Sequence, residues 1–309
     1  MSIENELIPY HAVRTLGTGP ALVLAPHPDD EVFGCAGAIM CHVAAGDPVT
    51  VIILTDGGGA WTNGPERESY VTRRRQESLT AVAVLGYGEP VFWDYRDREL
   101  SHDETLVQRL LVAATDTRWL YAPSPYEIHP DHHALGLAAL ETARRLGATV
   151  TLAFYEIGAP LPPNRLLDIS DLLDRKRRAI ACFTGQLLAQ AYDCHVEALN
   201  RYRTYTLPRE VEAAEAYWIA GGAEVDREFR TTVQTRSARL YPENEDIRQQ
   251  LEHAQTRLRE LRSQLENQQR EWQTRFDWMT SSRSWRLTAP LRNCARRLRT
   301  LRGWYPGFR

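Results

Sequence analysis

The sequence predicts an α/β protein: a Rossmann-like, mostly parallel sheet with helices on both faces, followed by a C-terminal α-helical coiled-coil extension. Three observations carry this. Short apolar runs of strand length alternate with segments of helix length, the rhythm of strand, crossover helix and parallel strand. The runs scarcely alternate with polar residues, so each strand is expected to be covered on both faces. Residues 242–279 carry apolar side chains at alternating steps of four and three, a heptad seam.

The first strand is the run Leu22-Val-Leu-Ala25, which ends abruptly in Pro26-His-Pro-Asp-Asp-Glu31. Residues 31–46 have helical spacing and are stopped by Gly46-Asp-Pro48. Val49-Thr-Val-Ile-Ile-Leu54 is a buried second strand that runs into the loop Thr55-Asp-Gly-Gly-Gly59. That loop could be read as a phosphate cradle, but its spacing fits neither a P-loop nor a dinucleotide fingerprint. A site-lining loop is the better reading, with Trp61 a candidate substrate platform. Residues 66–85 form an amphipathic helix that ends at Gly86, Val91-Phe-Trp93 a third strand, and 105–114 another helix. Residues 119–122 are the fourth strand. Pro123-Ser-Pro-Tyr-Glu-Ile128 must then be a rigid loop, because two prolines preclude regular pairing. A helix from His132 to Gly147 and a fifth strand over 149–155 follow. Prolines interrupt 158–164, and Asp168-Ile-Ser-Asp171 starts a helix that continues over 172–188 with Lys176, the only lysine in the chain. Segments 192–205 and 211–219 close the domain, and Gly221-Gly222 marks its edge. The expected organisation is a catalytic domain over 1–222, a linker over 223–241, a coiled coil over 242–279 started by Pro242, and a basic amphipathic tail over 280–309.

A chain of 309 residues with 43% hydrophobic and 25% charged residues is an ordinary globular composition, able to bury a core. No basic leader and no apolar run of bilayer length is found, so a cytoplasmic protein is expected. Five cysteines without paired spacing suit reduced thiols. The net charge of −3 hides an asymmetry: from residue 280 onward there are eight arginines and no acid.

An apolar strand that delivers one imidazole and two adjacent carboxylates to its carboxyl end puts polar groups where open α/β sheets keep their ligands. His27 and one of Asp29 and Asp30 can hold a metal through nitrogen and oxygen, while the other aspartate points elsewhere. A metal ligand beside a free base is a hydrolase arrangement. The missing ligand is offered by His129-Pro-Asp-His132, after the fourth strand.

At these residues the sequence resembles the zinc-dependent N-acetylglucosaminyl deacetylases, the PIG-L or LmbE-like proteins. The resemblance runs through Pro26-His-Pro-Asp-Asp-Glu31, Arg74-Arg-Gln-Glu77, Asp97-Arg-Glu-Leu100 and His129-Pro-Asp-His132. It continues through Asp168-Ile-Ser170 with Lys176, Leu199-Asn-Arg-Tyr-Arg203 and Ala214-Glu215, about the first 220 residues. It implies zinc held by His27, Asp30 and His132, with Asp29 taking the proton from the attacking water. It further implies Arg74 reaching substrate, Asp97 presenting an acid to sugar hydroxyls, and a structural Lys176. The family usually has glycine after that acid, and Arg98 stands here instead. His129 is the natural second electrophile for the oxyanion or the proton donor to the leaving amine, with Asp131 orienting it; as a fourth ligand it would close the site. His133 is expected to be exposed, His42, His102 and His195, which show no acidic partner pattern, to be ordinary residues, and Glu31 to cap the following helix or anchor the loop.

The leading expectation is therefore a zinc-dependent N-deacetylase acting on an N-acetylated amino sugar. The same chemistry on another N-acyl substrate, such as an antibiotic or thiol glycoside, is the alternative among enzymes. A non-catalytic scaffold has no need of so many buried charges, and nucleotide binding through Gly57 to Gly59 is the remaining alternative. Ile247, Leu251, Ala254, Leu258, Leu261, Leu265, Gln268 and Trp272 form the seam, which predicts a homo-oligomer. The segment Ser281-Ser-Arg-Ser-Trp-Arg-Leu-Thr-Ala-Pro-Leu-Arg292 resembles tails that follow coiled coils in bacterial surface-polysaccharide proteins, including glycosyltransferases. Its arginines, leucines and tryptophans suit an anionic membrane surface or a glycosyltransferase partner at the inner face of the membrane; nucleic acid is not the expected partner.

Overall fold

The structure, a computed structural model, describes residues 8–59, 64–225, 229–288 and 290. In chain order its strands are β1 Ala21–Ala25, β2 Val49–Thr55, β3 Val91–Tyr95, β4 Trp119–Pro123, β5 Thr151–Tyr155, β6 Arg165–Asp168 and β7 Ala214–Gly221. They form one sheet in the order β3-β2-β1-β4-β5-β7-β6. The first five pair in parallel, and β7 runs antiparallel to both β5 and β6. The helices are α1 Asp30–Ala45, α2 Pro65–Leu85, α3 Glu104–Ala113, α4 Pro130–Leu146, α5 Leu173–Ile180, α6 Thr184–Ala189, α7 Tyr192–Tyr202, α8 Phe229–Ser281 and α9 Arg283–Leu287.

The uniform apolarity of β1 has the predicted cause. Leu22 and Leu24 enter one buried cluster, with Leu120, Leu135 and Phe154, while Ala21, Val23 and Ala25 enter another on the opposite face, with Ile39, Tyr155 and Ile169. Helices thus cover both sides of the strand, and every residue of it is buried.

α1 is interrupted at Cys35, whose φ of −142° is non-helical. The interruption is repaired from a distance: Gly37 N–H and Ala38 N–H donate to the Glu215 carboxylate at 2.8 and 3.2 Å. That carboxylate also accepts from Lys176 Nζ at 2.7 Å and Tyr217 O–H at 2.5 Å, and Lys176 donates to the Phe33 carbonyl at 3.0 Å. The only lysine of the chain is thus a buried tie between α5, β7 and the first turn of α1. Truncating Lys176→Ala leaves Glu215 charged in the core without its counter-ion, a change of the kind that costs about 3–5 kcal/mol. Chemical denaturation should show that loss, and a variant as stable as the parent would disprove the tie.

Four expectations need correction. Two antiparallel strands, β6 and β7, extend the sheet beyond the five predicted. The helix expected over 172–188 breaks into α5 and α6, because Phe183 is buried edge-on to Phe33 and Glu77 of α2 accepts from Thr184 O–H and Gly185 N–H at 2.8 and 2.9 Å. The fifth strand starts at Thr151, after a 3₁₀ turn at Gly147–Thr149. Finally, α8 begins at Phe229, inside the expected linker, so Pro242 lies within the helix and not at its start. One missing backbone hydrogen bond is tolerable in a helix of 53 residues. The chain divides into two units, Met1–Thr235 and Arg236–Arg309. Within the seam, Leu258, Leu261, Leu265 and Trp272 are exposed, while the side chains of Ile247, Leu251 and Ala254 lie outside the described residues, as does the tail from residue 291. No helix among the described residues is long and apolar enough to cross a membrane.

Candidate metal and catalytic site

β1 and β4 are adjacent strands whose following helices diverge, the switch point at which open sheets form a crevice. The β1 loop brings His27, Asp29 and Asp30; the β4 loop and the first turn of α4 bring His129, Asp131 and His132. The structure brings together all three predicted ligands. His27 Nδ1, Asp30 Oδ2 and His132 Nε2 lie 3.1 Å apart in each of the three pairings. Nitrogen and oxygen donors around a tetrahedral divalent metal stand about 3.3–3.5 Å apart, given bonds of about 2.0–2.2 Å. The donor set, its convergence and its burial therefore fit such an ion. His129 also comes within reach: one ligand atom from each of His27, His129 and His132 lies within 4.8 Å of the others, as do those of His27, Asp97, His129 and Asp131.

The second ring nitrogen of His27 is oriented by acids, whereas that of His132 is buried near Glu127 without a hydrogen bond. His27 Nε2 is 3.1 Å from Asp131 Oδ2 and 3.4 Å from Asp97 Oδ1, and His132 Nδ1 is 3.8 Å from Glu127 Oε2. The expected role of Asp131 is corrected here. Its carboxylate is 3.9 Å from His129 Nδ1, too far to hydrogen-bond, and is fixed instead by Arg98 N–H at 2.7 Å and Leu100 N–H at 3.2 Å. It positions His27. Arg98 reaches that bond with φ of +69°, the left-handed conformation that glycine adopts freely, at a cost of roughly 1–2 kcal/mol.

Arg74 has a further role that the expectation did not include. Buried on α2, it donates from Nη2 to Asp29 Oδ2 at 2.7 Å and to the Pro28 carbonyl at 2.7 Å, and from Nη1 to the Gly57 carbonyl at 2.9 Å. Its guanidinium lines the cavity and anchors Asp29. Asp29 itself has φ of 136°, strain of the kind that a surrounding structure imposes at functional sites. Asp97 lines the cavity, but its Oδ2 accepts Gly59 N–H at 2.8 Å and its Oδ1 faces His27 and His129, the latter at 3.7 Å. The glycine loop is no phosphate cradle: Gly57, Gly58 and Gly59 donate to Thr55, Asp56 and Asp97 of the protein itself.

Burial pushes the Asp29 carboxyl up to about 7 against the opposing pull of Arg74. Burial would raise Asp30 too, but the His132 and His27 imidazoles hold it well below the usual carboxylate range. The adjacent aspartates are thus separated into a permanently charged group and one that ionises near neutrality. His129 is pushed down to about 4 by burial and by the neighbouring His27 and His132, so it is neutral at physiological pH, contrary to the expected proton carrier. Its Nδ1 accepts Asp131 N–H at 3.3 Å as the cap of α4, which leaves the hydrogen on Nε2.

Over the triad opens a cavity of about 490 Å³, within the usual range for small-molecule sites. Sequence reasoning did not single out its walls: Phe33, Tyr70, Gln186, Tyr192, Ile157 and Glu127. Glu127 accepts Ile157, Gly158 and Ala159 N–H at 2.6, 3.0 and 3.2 Å, tying that loop to the His132 side of the site. An acid two residues before His129, in a loop too proline-rich to pair, was the one available signal. Trp61 lies outside the described residues. Glu31 is buried and accepts Asp29 N–H at 3.2 Å, anchoring the loop as expected. One minor expectation fails: His133 is half-buried, bonded to the Pro125 carbonyl at 2.7 Å, while His42, read as an ordinary residue, pairs with Asp47 at 2.8 Å.

A family model described as "PIG-L: GlcNAc-PI de-N-acetylase" matches residues 22–143, which contain every residue of the triad and both aspartates. A protein of Bacillus anthracis named probable N-acetyl-alpha-D-glucosaminyl L-malate deacetylase 2 is 28% identical over 219 residues, covering 64% of this chain and 93% of that protein. The 4-oxalmesaconate hydratase of Pseudomonas putida is 26% identical over 190 residues, covering 54% of this chain and 73% of that protein. Among solved structures, an N,N'-diacetylchitobiose deacetylase from Pyrococcus horikoshii shares the fold with a TM-score of 0.58, at 24% identity, over 66% of this chain and 85% of that one.

Proposed function

We propose, from the match of residues 22–143 to the PIG-L family model, that the chain is a zinc-dependent N-deacetylase that hydrolyses the acetamide of an N-acetylated amino sugar. The observation that carries the reading is the triad of donors 3.1 Å apart with a fourth group, Asp29, next to it in the chain yet outside it. His27, Asp30 and His132 would hold the ion. When bound, it supplies a Lewis acid for the amide carbonyl and a water acidic enough to ionise near neutral pH.

The remaining work falls to the chain. Asp29, held at Oδ2 by Arg74, offers Oδ1 to take the proton from the attacking water, and its placement near 7 matches that task. His129 offers Nε2–H to the oxygen that gains charge as the carbonyl becomes tetrahedral. The proton gathered by Asp29 then goes to the leaving amine, so that acetate and a free amino sugar result. Phe33, Tyr70, Tyr192 and Ile157 give the cavity apolar walls, suited to the C–H faces of a sugar ring. The named activity of the Bacillus anthracis relative supports a glucosamine-type substrate.

Incubation with a panel of N-acetylglucosamine conjugates, glycolipids and N-acylated antibiotics, with acetate as the readout, tests the reading. The hydratase relative favours one further possibility, addition of water to an unsaturated acid. Loss of the ultraviolet absorbance of such an acid, without acetate release from any N-acetyl substrate, would select it.

The eight arginines of residues 280–309, interleaved with leucines and tryptophans and without acids, support a second part of the proposal: a tail that holds the enzyme at an anionic membrane surface, beside polysaccharide assembly. Full-length protein should float with anionic liposomes at moderate salt and release at high salt. Flotation unchanged by deletion of 280–309 would remove the tail from the account, and binding to a glycosyltransferase in place of lipid would reassign it.

A further inference from the structure

We propose that α8 pairs with the α8 of a second copy in antiparallel orientation, with the pair crossing at Leu261 and Leu265. Four residues on the apolar face of this helix are exposed: Leu258, Leu261, Leu265 and Trp272, at 53%, 56%, 55% and 65%. Four such residues in one line on a helix of 53 residues are more than scattered surface leucines require. Their steps of three and four define a heptad in which Leu258, Leu265 and Trp272 take position a and Leu261 and Gln268 take position d. The occupant that fits a seam of this period is another seam of the same period.

The orientation follows from the residues that flank the seam. In this register Arg257, Gln264 and Glu271 fall at position g, and Arg262 and Gln269 at position e. These positions decide partner and orientation in coiled coils. In a parallel pair, each g faces the e that follows it on the partner, so Arg257 would face Arg262 of the second copy, twice by symmetry, with no attraction elsewhere among these residues. In an antiparallel pair, g faces g and e faces e. With Leu261 of one copy layered on Leu265 of the other, Arg257 faces Glu271 of the second copy twice, and Gln264 faces its own copy. Only Arg262 then meets its like, once. No ion pair within the chain occupies Arg257 or Glu271 among the described residues, so both are free to act across the interface. The same register layers Leu258 on Gln268 and keeps the two leucines at the centre. Shifting it by one heptad either way removes both Arg257–Glu271 contacts. Charge therefore selects both the direction and the register.

Sedimentation of the full-length chain against its Arg257→Glu variant tests the proposal, because the two orientations predict opposite signs. Antiparallel pairing turns two attractive contacts into two repulsive ones, and the dimer dissociation constant should rise on the order of 10-fold; adding Glu271→Arg should restore it. Parallel pairing would put a glutamate opposite Arg262 and tighten the dimer. Independently, Gln264→Cys should cross-link under mild oxidation, well above the parent chain with its native cysteines, because only the antiparallel register brings position 264 against itself. A monomer at all concentrations overturns the proposal. So does a dimer strengthened by, or indifferent to, Arg257→Glu, or one that Gln264→Cys fails to cross-link.

Discussion

Asp30→Ala should leave the protein folded but unable to retain a divalent metal, and acetate release should fall to background. Asp30 accepts from His27 N–H at 2.9 Å and supplies the carboxylate oxygen that closes the donor triangle with His27 and His132. Removing one of three protein ligands leaves two imidazoles, which hold such an ion far more weakly. Metal content after dialysis, measured with the circular dichroism of the same sample, separates loss of the ion from loss of the fold. A variant that keeps its metal would displace Asp30 from the ligand set, in favour of Asp97 or Asp131, which stand on the other side of His27.

Asp29→Asn should do the opposite. The triad is untouched, so metal should stay bound, while turnover falls on the order of 10² to 10⁴-fold for want of a proton acceptor. Arg74 keeps a carbonyl oxygen to donate to in the asparagine, so the loop geometry should survive. Because the loss is in the chemical step, it should appear in kcat more than in KM. A metal-loaded Asp29→Asn enzyme with parental turnover would move the base elsewhere, and Glu127, on the His132 side of the cavity, would be the next carboxyl to examine.

The parts of the fold that were legible in the sequence are those governed by local pattern. β1 and β4 read as strands because a strand covered on both faces has no polar residues to confuse the pattern, and the two His/Asp clusters stood out at their ends. What stayed hidden was set by partners remote in sequence. β6 is four residues long and follows a proline-rich stretch, so nothing local marks it; it exists because β7 pairs with it. The break between α5 and α6 depends on Glu77, more than a hundred residues earlier. Arg74 was visible as one of three consecutive arginines, but only the folded α2 brings it alone to Asp29. Asp131 sits two residues from His129, and that adjacency suggested the wrong partner. In the first turn of α4 the two side chains diverge, and Asp131 turns inward under the amides of Arg98 and Leu100, where it meets His27. The walls of the cavity are aromatic and aliphatic residues from four separate elements, and no spacing rule connects them.

On the proposed function, one divalent metal, held by His27, Asp30 and His132, makes this domain an N-deacetylase. Acetate release from an N-acetylglucosamine conjugate, followed on a single preparation before chelation, after chelation and after addition of zinc, tests it most directly when the metal is counted at each stage. One zinc per chain is expected in the active states, with acetate and free amine in equal amounts and activity that falls and returns with the metal. Acetate release undiminished in protein stripped of metal, or none from any N-acetyl sugar by protein carrying its full zinc, would contradict it.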